Sequence, residues 1–136
     1  MNLLISCFFL ILSVVIINPN QVNATTNELP ECIVITHCVR ENFTAKDLDN
    51  AFKKAVKIVS ETPRTKIVEQ TNSYIHAEAK TKWRRYTDDL LLKAIPEKGI
   101  IQIRSESRVG IGDNGVNQKR VDAFAYRLKT EPDISS

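Results

Sequence analysis

The chain has 136 residues, 43% of them hydrophobic and 26% charged, with a formal net charge of +3. That length leaves room for one domain, and the composition is that of a folded chain rather than a disordered one. So mild a charge argues against a dedicated nucleic-acid binder and implies only tolerance of anionic surroundings.

Residues 3–17, LLISCFFLILSVVII, form an unbroken apolar run without charge. Asn18–Pro19–Asn20 follows, then VNA, with Val22 and Ala24 placed like the residues that precede a signal-peptidase cut. The run is shorter than the roughly 20 residues of a comfortable bilayer span. We read 1–24 as a cleaved export signal and expect a periplasmic or thylakoid-lumen protein. The alternative is a retained N-terminal anchor, since no Lys or Arg precedes the run.

Cys7 would leave with the signal, so the mature chain keeps Cys32 and Cys38. In an oxidising compartment such a pair reads most simply as a disulfide, stabilising by about 2 kcal/mol on the chain-entropy model. Two alternatives stay open. Cys32, His37 and Cys38 form a candidate metal site that lacks a fourth ligand, and the pair is also a candidate redox switch. No metal or other cofactor is expected.

Residues 25–43 read as a polar lead-in, followed by a single domain over 44–129 and a flexible tail over 130–136. Thr44 is placed as an N-cap with Asp47 at N3, and Phe43 and Leu48 occupy the staple positions. Leu48, Ala51, Phe52, Ala55, Val56 and Val59 then recur at helical spacing until Thr62–Pro63. The predicted helix covers about 45–60. Four strand-like runs follow: 65–70, 74–81, 86–95 and 100–109. Their separators are too short for parallel crossovers, so the strands form an antiparallel meander. A second helix is predicted over about 117–128, with Val121, Phe124, Ala125 and Leu128 as its apolar side. The order α-β-β-β-β-α predicts an α+β fold: a four-stranded antiparallel sheet with both helices packed on one face.

Between the last strand and the last helix, Gly110, Gly112 and Gly115 have the G-x-G-x-x-G spacing of dinucleotide-binding folds. The wider context opposes that reading, because no strand follows the helix to complete a parallel unit. Two readings remain: an anion site supported by Arg108, Lys119 and Arg120, or a turn capped by Asp113 or Asn114. Alternation over 100–109 puts Gln102, Arg104, Glu106 and Arg108 on the face away from the helices, with Ile101, Ile103, Ser105 and Ser107 beneath them. His76, Glu78 and either Asp88 or Asp89 join the charged face. That face reads as an ion-pair network or a ligand surface. Catalysis through His76, Asp88 or Asp89, and Arg104 is the alternative, although no nucleophile–base spacing accompanies them.

The connector KTKWRRY interleaves Lys80, Lys82, Arg84 and Arg85 with Trp83 and Tyr86. Nucleic acid is not an expected partner of an exported chain. The connector reads as a solvated hairpin connection, with peripheral contact to anionic lipid as its functional alternative. Asn42–Phe43–Thr44 is a glycosylation acceptor if the source is eukaryotic.

YIHAEAKTKWRRYTDDL and RSESRVGIGDNGVNQKRV resemble the domain of unknown function 1499 family, cyanobacterial members in particular. The most specific part of the likeness is carried by Arg104, Ser105, Ser107, Arg108, Gly110, Asp113, Gly115, Asn117 and Arg120. The family usually shows D-D-x-E where this chain has Asp88, Asp89, Leu90 and Leu91, which weakens a shared metal or acid–base site there. The resemblance implies fold and export and supplies no reaction. The reading is therefore an exported binding or accessory module, its partner an unknown protein or a small anionic ligand. Hydrolase-like and redox-responsive proteins are the alternatives.

Overall fold

The computed structural model describes residues 27–110 and 112–132, so the expected signal and the end of the tail lie outside the described residues. Along the chain come β1 (Cys38–Thr44), α1 (Leu48–Glu61), β2 (Thr65–Gln70), β3 (Tyr74–Lys80), β4 (Thr87–Ile95), a 3-10 turn (Pro96–Lys98), β5 (Ile100–Ser107) and α2 (Val116–Thr130). The strands form one sheet in the order β1-β5-β4-β3-β2, each neighbouring pair antiparallel.

The α+β fold and the meander over β2–β5 therefore hold, but the sheet has five strands, not four. The fifth lies inside the stretch expected to be a polar lead-in. Its alternation is hard to read because Glu41 sits among the helix-side residues, at the sheet edge, where Gln118 of α2 donates to its carboxylate at 3.2 Å. Incorporating β1 also moves the start of the first helix. Thr44 ends the strand, and the N-cap is Asp47, whose carboxylate accepts the Asn50 N–H at 3.0 Å. Phe43 is thereby freed from a staple and meets Phe124 of α2, with ring centroids 5.9 Å apart. At its other end α1 stops where expected: the Thr62 hydroxyl donates to the Ile58 carbonyl at 2.7 Å and Pro63 follows.

Both helices cover the same face. Ile75, Leu90, Leu92, Ile101 and Ile103 from the sheet pack against Phe52, Ile58, Val59, Val121 and Phe124 from the helices. Burying one such side chain stabilises the fold by about 1.5–3 kcal/mol.

The opposite face is half covered. Residues 27–30 cross it over β1 and β5, with Leu29 buried. The Leu29 N–H donates to Gln102 Oε1 at 2.6 Å, and its carbonyl accepts from Arg40 at 3.0 Å. Gln102 itself is fully buried, its amide donating to Asn42 Oδ1 at 2.9 Å. Arg104 points away from the helices as alternation requires, but it is only 8% exposed.

One end of the sheet, where β1, β2 and β4 begin and β3 and β5 finish, carries the loops 31–37, 62–64, 81–86 and 108–115. Cys32 and Cys38 are bridged there, with Cα atoms 5.5 Å apart.

Candidate functional site

Adjacent strand residues point to opposite faces, and β4 places Asp88 and Asp89 accordingly. Asp88 pairs in register with Ala79 and Ser107 on the helix side, whereas Asp89 pairs with Glu78 and Glu106 on the open side. The candidate residues are thus split by the thickness of the sheet.

On the helix side Asp88 is completely buried, and Arg120 of α2 donates to its Oδ2 at 2.8 Å. The same guanidinium reaches Ser105 Oγ at 2.9 Å and Asn117 Oδ1 at 2.6 Å, while the Ser105 hydroxyl donates to Asn117 Oδ1 at 2.5 Å. The Asn117 amide donates in turn to Ser107 Oγ, Asp113 Oδ2 and the His37 carbonyl at 2.7–3.1 Å. These residues lock the start of α2 and the glycine loop onto β4 and β5. They leave Asp88 Oδ1 as a buried oxygen without a partner.

The glycine loop carries its own anion. The Asp113 carboxylate accepts the Gly115 and Asn117 N–H groups at 2.9 and 2.8 Å, taking the donors that a phosphate would need. Burial pushes the Asp113 carboxyl up, but the bonds from Asn117 and Gly115 outweigh it and hold it below its ordinary value. Gly110 and Gly115 adopt positive φ (92° and 75°), and Gly115 caps α2 in a left-handed conformation closed to most side chains. Of the two expected caps, Asp113 is the one that acts. The loop is a turn.

On the open side His76 Nε2 lies 2.6 Å from Asp89 Oδ1. Arg108 grips Asp89 with two nitrogens, at 2.7 and 2.9 Å, and reaches Glu78 at 2.7 Å. The Arg108 bonds, aided by His76, hold the Asp89 carboxyl below its usual range against the opposing pull of burial. Bonds from Asp89 and then Glu78 raise Arg108. Burial, then the Glu69 and Asp89 charges, push the neighbouring Tyr74 phenol up. Arg104 shares this face but turns to Glu106 at 2.7 Å. Among the described residues, no three His, Cys, Asp or Glu side chains converge as a metal site requires.

A family model described as "Protein of unknown function (DUF1499)" matches residues 12–128. The chain belongs to this family. No curated protein matches it. Set against the geometry, the residues that carry the family likeness divide by role. Ser105, Ser107, Asp113, Asn117 and Arg120 build the helix-side lock, and Arg104 and Arg108 lie on the other face. The missing carboxylate of the D-D-x-E pattern falls at Leu91, which pairs with His76 and Arg104 on the open face.

Sequence reasoning missed the strap and its anchors. Glu28 receives Arg40 at 2.7 Å and also Lys98, and the bonds from Lys98 and then Gln102 hold its carboxyl below the ordinary value. The available signal was a partial alternation of Arg40 and Asn42 with Val39 and Phe43, interrupted by Glu41 on the helix side. Nothing local marks residues 27–30 as a cover.

Proposed function

We propose that the chain is an exported, non-catalytic binding module of the cell envelope or thylakoid lumen, and that its ligand surface is the uncovered half of the charged sheet face. One observation carries this reading. His76, Glu78, Asp89 and Arg108 stand together with side chains 26%, 34%, 27% and 41% exposed, whereas on the other face the Asp88 of the Asp88–Arg120 pair is buried beneath α2. Charges of both signs held in fixed positions at a surface select partners by complementarity. Because Arg108 is already satisfied by two carboxylates, a free small anion would have to displace them. A protein surface carrying both signs would not, and we infer that kind of partner. Export is supported by the apolar run over 3–17 and by the Cys32–Cys38 bridge, a crosslink that persists in oxidising compartments.

The hydrolase-like alternative keeps the His76–Asp89 contact, which suits an acid–base couple. It has less support because Asp88 lies across the sheet, Arg104 is turned to Glu106, and no described Ser, Thr or Cys side chain hydrogen-bonds His76. The redox alternative has less support because Cys38 is only 4% exposed. The binding reading is tested with the double variant His76→Ala/Arg108→Ala, crosslinked in the cells that export it. We expect a circular dichroism spectrum like that of the parent and loss of the partner captured by the parent. A folded double variant that keeps every partner removes the site from this face.

A further inference from the structure

Three loops at one end of the sheet expose apolar side chains that the charged face does not use. The loop 31–37 exposes Ile33 (91%), Val34 and Ile35 (81%), the turn 81–86 exposes Trp83 (87%) and Tyr86, and the loop 108–115 exposes Val109 (59%). The apolar tip of the first loop is held out by its own covalent geometry. Cys38 is buried in β1 and tethers Cys32, and the His37 N–H closes a turn on the Val34 carbonyl at 3.3 Å. The loop is then joined to its neighbour by the Asp113 N–H, which donates to the Thr36 carbonyl at 3.3 Å.

The arginines of the 62–64 and 81–86 loops differ from those elsewhere. Arg40, Arg104, Arg108, Arg120 and Arg127 each hold a carboxylate. Among the described residues, Arg64, Arg84 and Arg85 hold none, and all three lie in the loops at this end, beside the exposed Lys80 and Lys82. Arg84 instead reaches the Tyr86 hydroxyl at 3.4 Å, and Lys82 lies 5.3 Å from the Trp83 ring centroid.

We propose that this end of the sheet is a docking surface for an anionic bilayer. Ile33, Ile35 and Trp83 enter the boundary between headgroups and acyl chains, and Arg64, Lys80, Lys82, Arg84 and Arg85 meet lipid phosphates. The chemistry matches in each part. Indole rings favour the membrane interface, long basic side chains keep their heads at phosphate level while their stems lie in apolar surroundings, and an anionic leaflet attracts clustered cations. The shape matches too: the apolar groups project from loops rather than line a groove, so they suit a soft planar surface. Strand spacing of about 4.8 Å puts the 31–37 loop and the 81–86 turn roughly 12 Å apart, close enough to touch one membrane together. Asn27, the first described residue, donates to Glu97 at the opposite end of the sheet. The inference uses different residues from the proposed partner face, so either reading can fail while the other stands.

Trp83 is the only tryptophan in the chain and serves as an internal probe. The exported protein, disulfide intact, is mixed with phosphatidylglycerol–phosphatidylcholine vesicles and with phosphatidylcholine vesicles, some carrying brominated acyl chains. The expected result with the anionic vesicles is a blue-shifted Trp83 emission quenched by bromine, with much weaker binding to phosphatidylcholine alone. Ile33→Ser/Ile35→Ser, both at solvent-exposed positions, weakens partitioning by about tenfold or more. Arg84→Gln and Arg85→Gln each weaken it by about fivefold. Trp83 emission that stays water-like while the protein sediments with vesicles assigns binding to another part of the chain and overturns the proposal. So does insensitivity to the Ile33/Ile35 variant, or a lipid-free dimer in sedimentation velocity that this variant abolishes.

Discussion

Asp88 and Asp89 are consecutive in β4 and meet opposite fates. Asp88 is sealed beneath α2 with one arginine, two serines and an asparagine around it, whereas Asp89 stands part-exposed with His76 and Arg108. Both sites are built on an aspartate–arginine pair. What differs is water. A buried charge stripped of its partner has no solvent to fall back on, so its network holds the fold rigidly. On the open face water can replace any lost bond, so similar geometry contributes little to stability and stays available to a partner.

The comparison breaks most visibly at Arg120. Arg120→Met leaves Asp88 buried and uncompensated and should destabilise by about 3–5 kcal/mol, read as a lowered midpoint in urea unfolding. Adding Asp88→Leu should recover part of the loss; a single variant as stable as the parent would show that α2 does not depend on this lock. A smaller effect is expected at the glycine loop. Asp113→Ala removes the carboxylate that holds the first turn of α2 and should cost about 1–2 kcal/mol, with faster hydrogen exchange at Gly115 and Asn117.

The smallest effect belongs to the open face and is best drawn out by acid. Asp89 and Asp113 both have carboxyls held below their ordinary value. Their contribution is therefore complete above the unfolded value of about 3.9 and is lost as pH falls through the lower folded values. Thermal midpoints should be insensitive to these two groups near neutrality and should fall below about pH 4. Asp89→Asn should flatten that fall only slightly, and high salt should erase the difference. A large change at neutral pH would place Asp89 among the structural charges instead.

Much of the architecture was legible because burial imposes a period. Ile75, Ala77 and Ala79 alternate with Tyr74, His76 and Glu78, and α1 repeats its apolar residues at helical spacing, so the meander and the helix-covered face could be read directly. β1 was not legible, because an edge strand with Glu41 among its helix-side residues has no clean alternation. The helix start was misread for the same reason: once β1 pairs with β5, Thr44 belongs to the strand and Asp47 is the first free cap. At the candidate site, alternation could say that Asp88 and Asp89 point apart but not which one joins His76. That choice depends on the register with β3 and β5.

Periodicity, turn chemistry and the glycine spacing are local, and the order of residues alone determined them: an α+β chain with two amphipathic helices, a strand meander and a capped bend before α2. Long-range pairing decided the rest. The strap over Gln102, the division of the charged residues between two faces, and the gathering of Ile33, Trp83 and Arg84 at one end join positions far apart in the chain. Such contacts form only when closing the sheet has met the entropy of bringing distant segments together, and no local pattern encodes them.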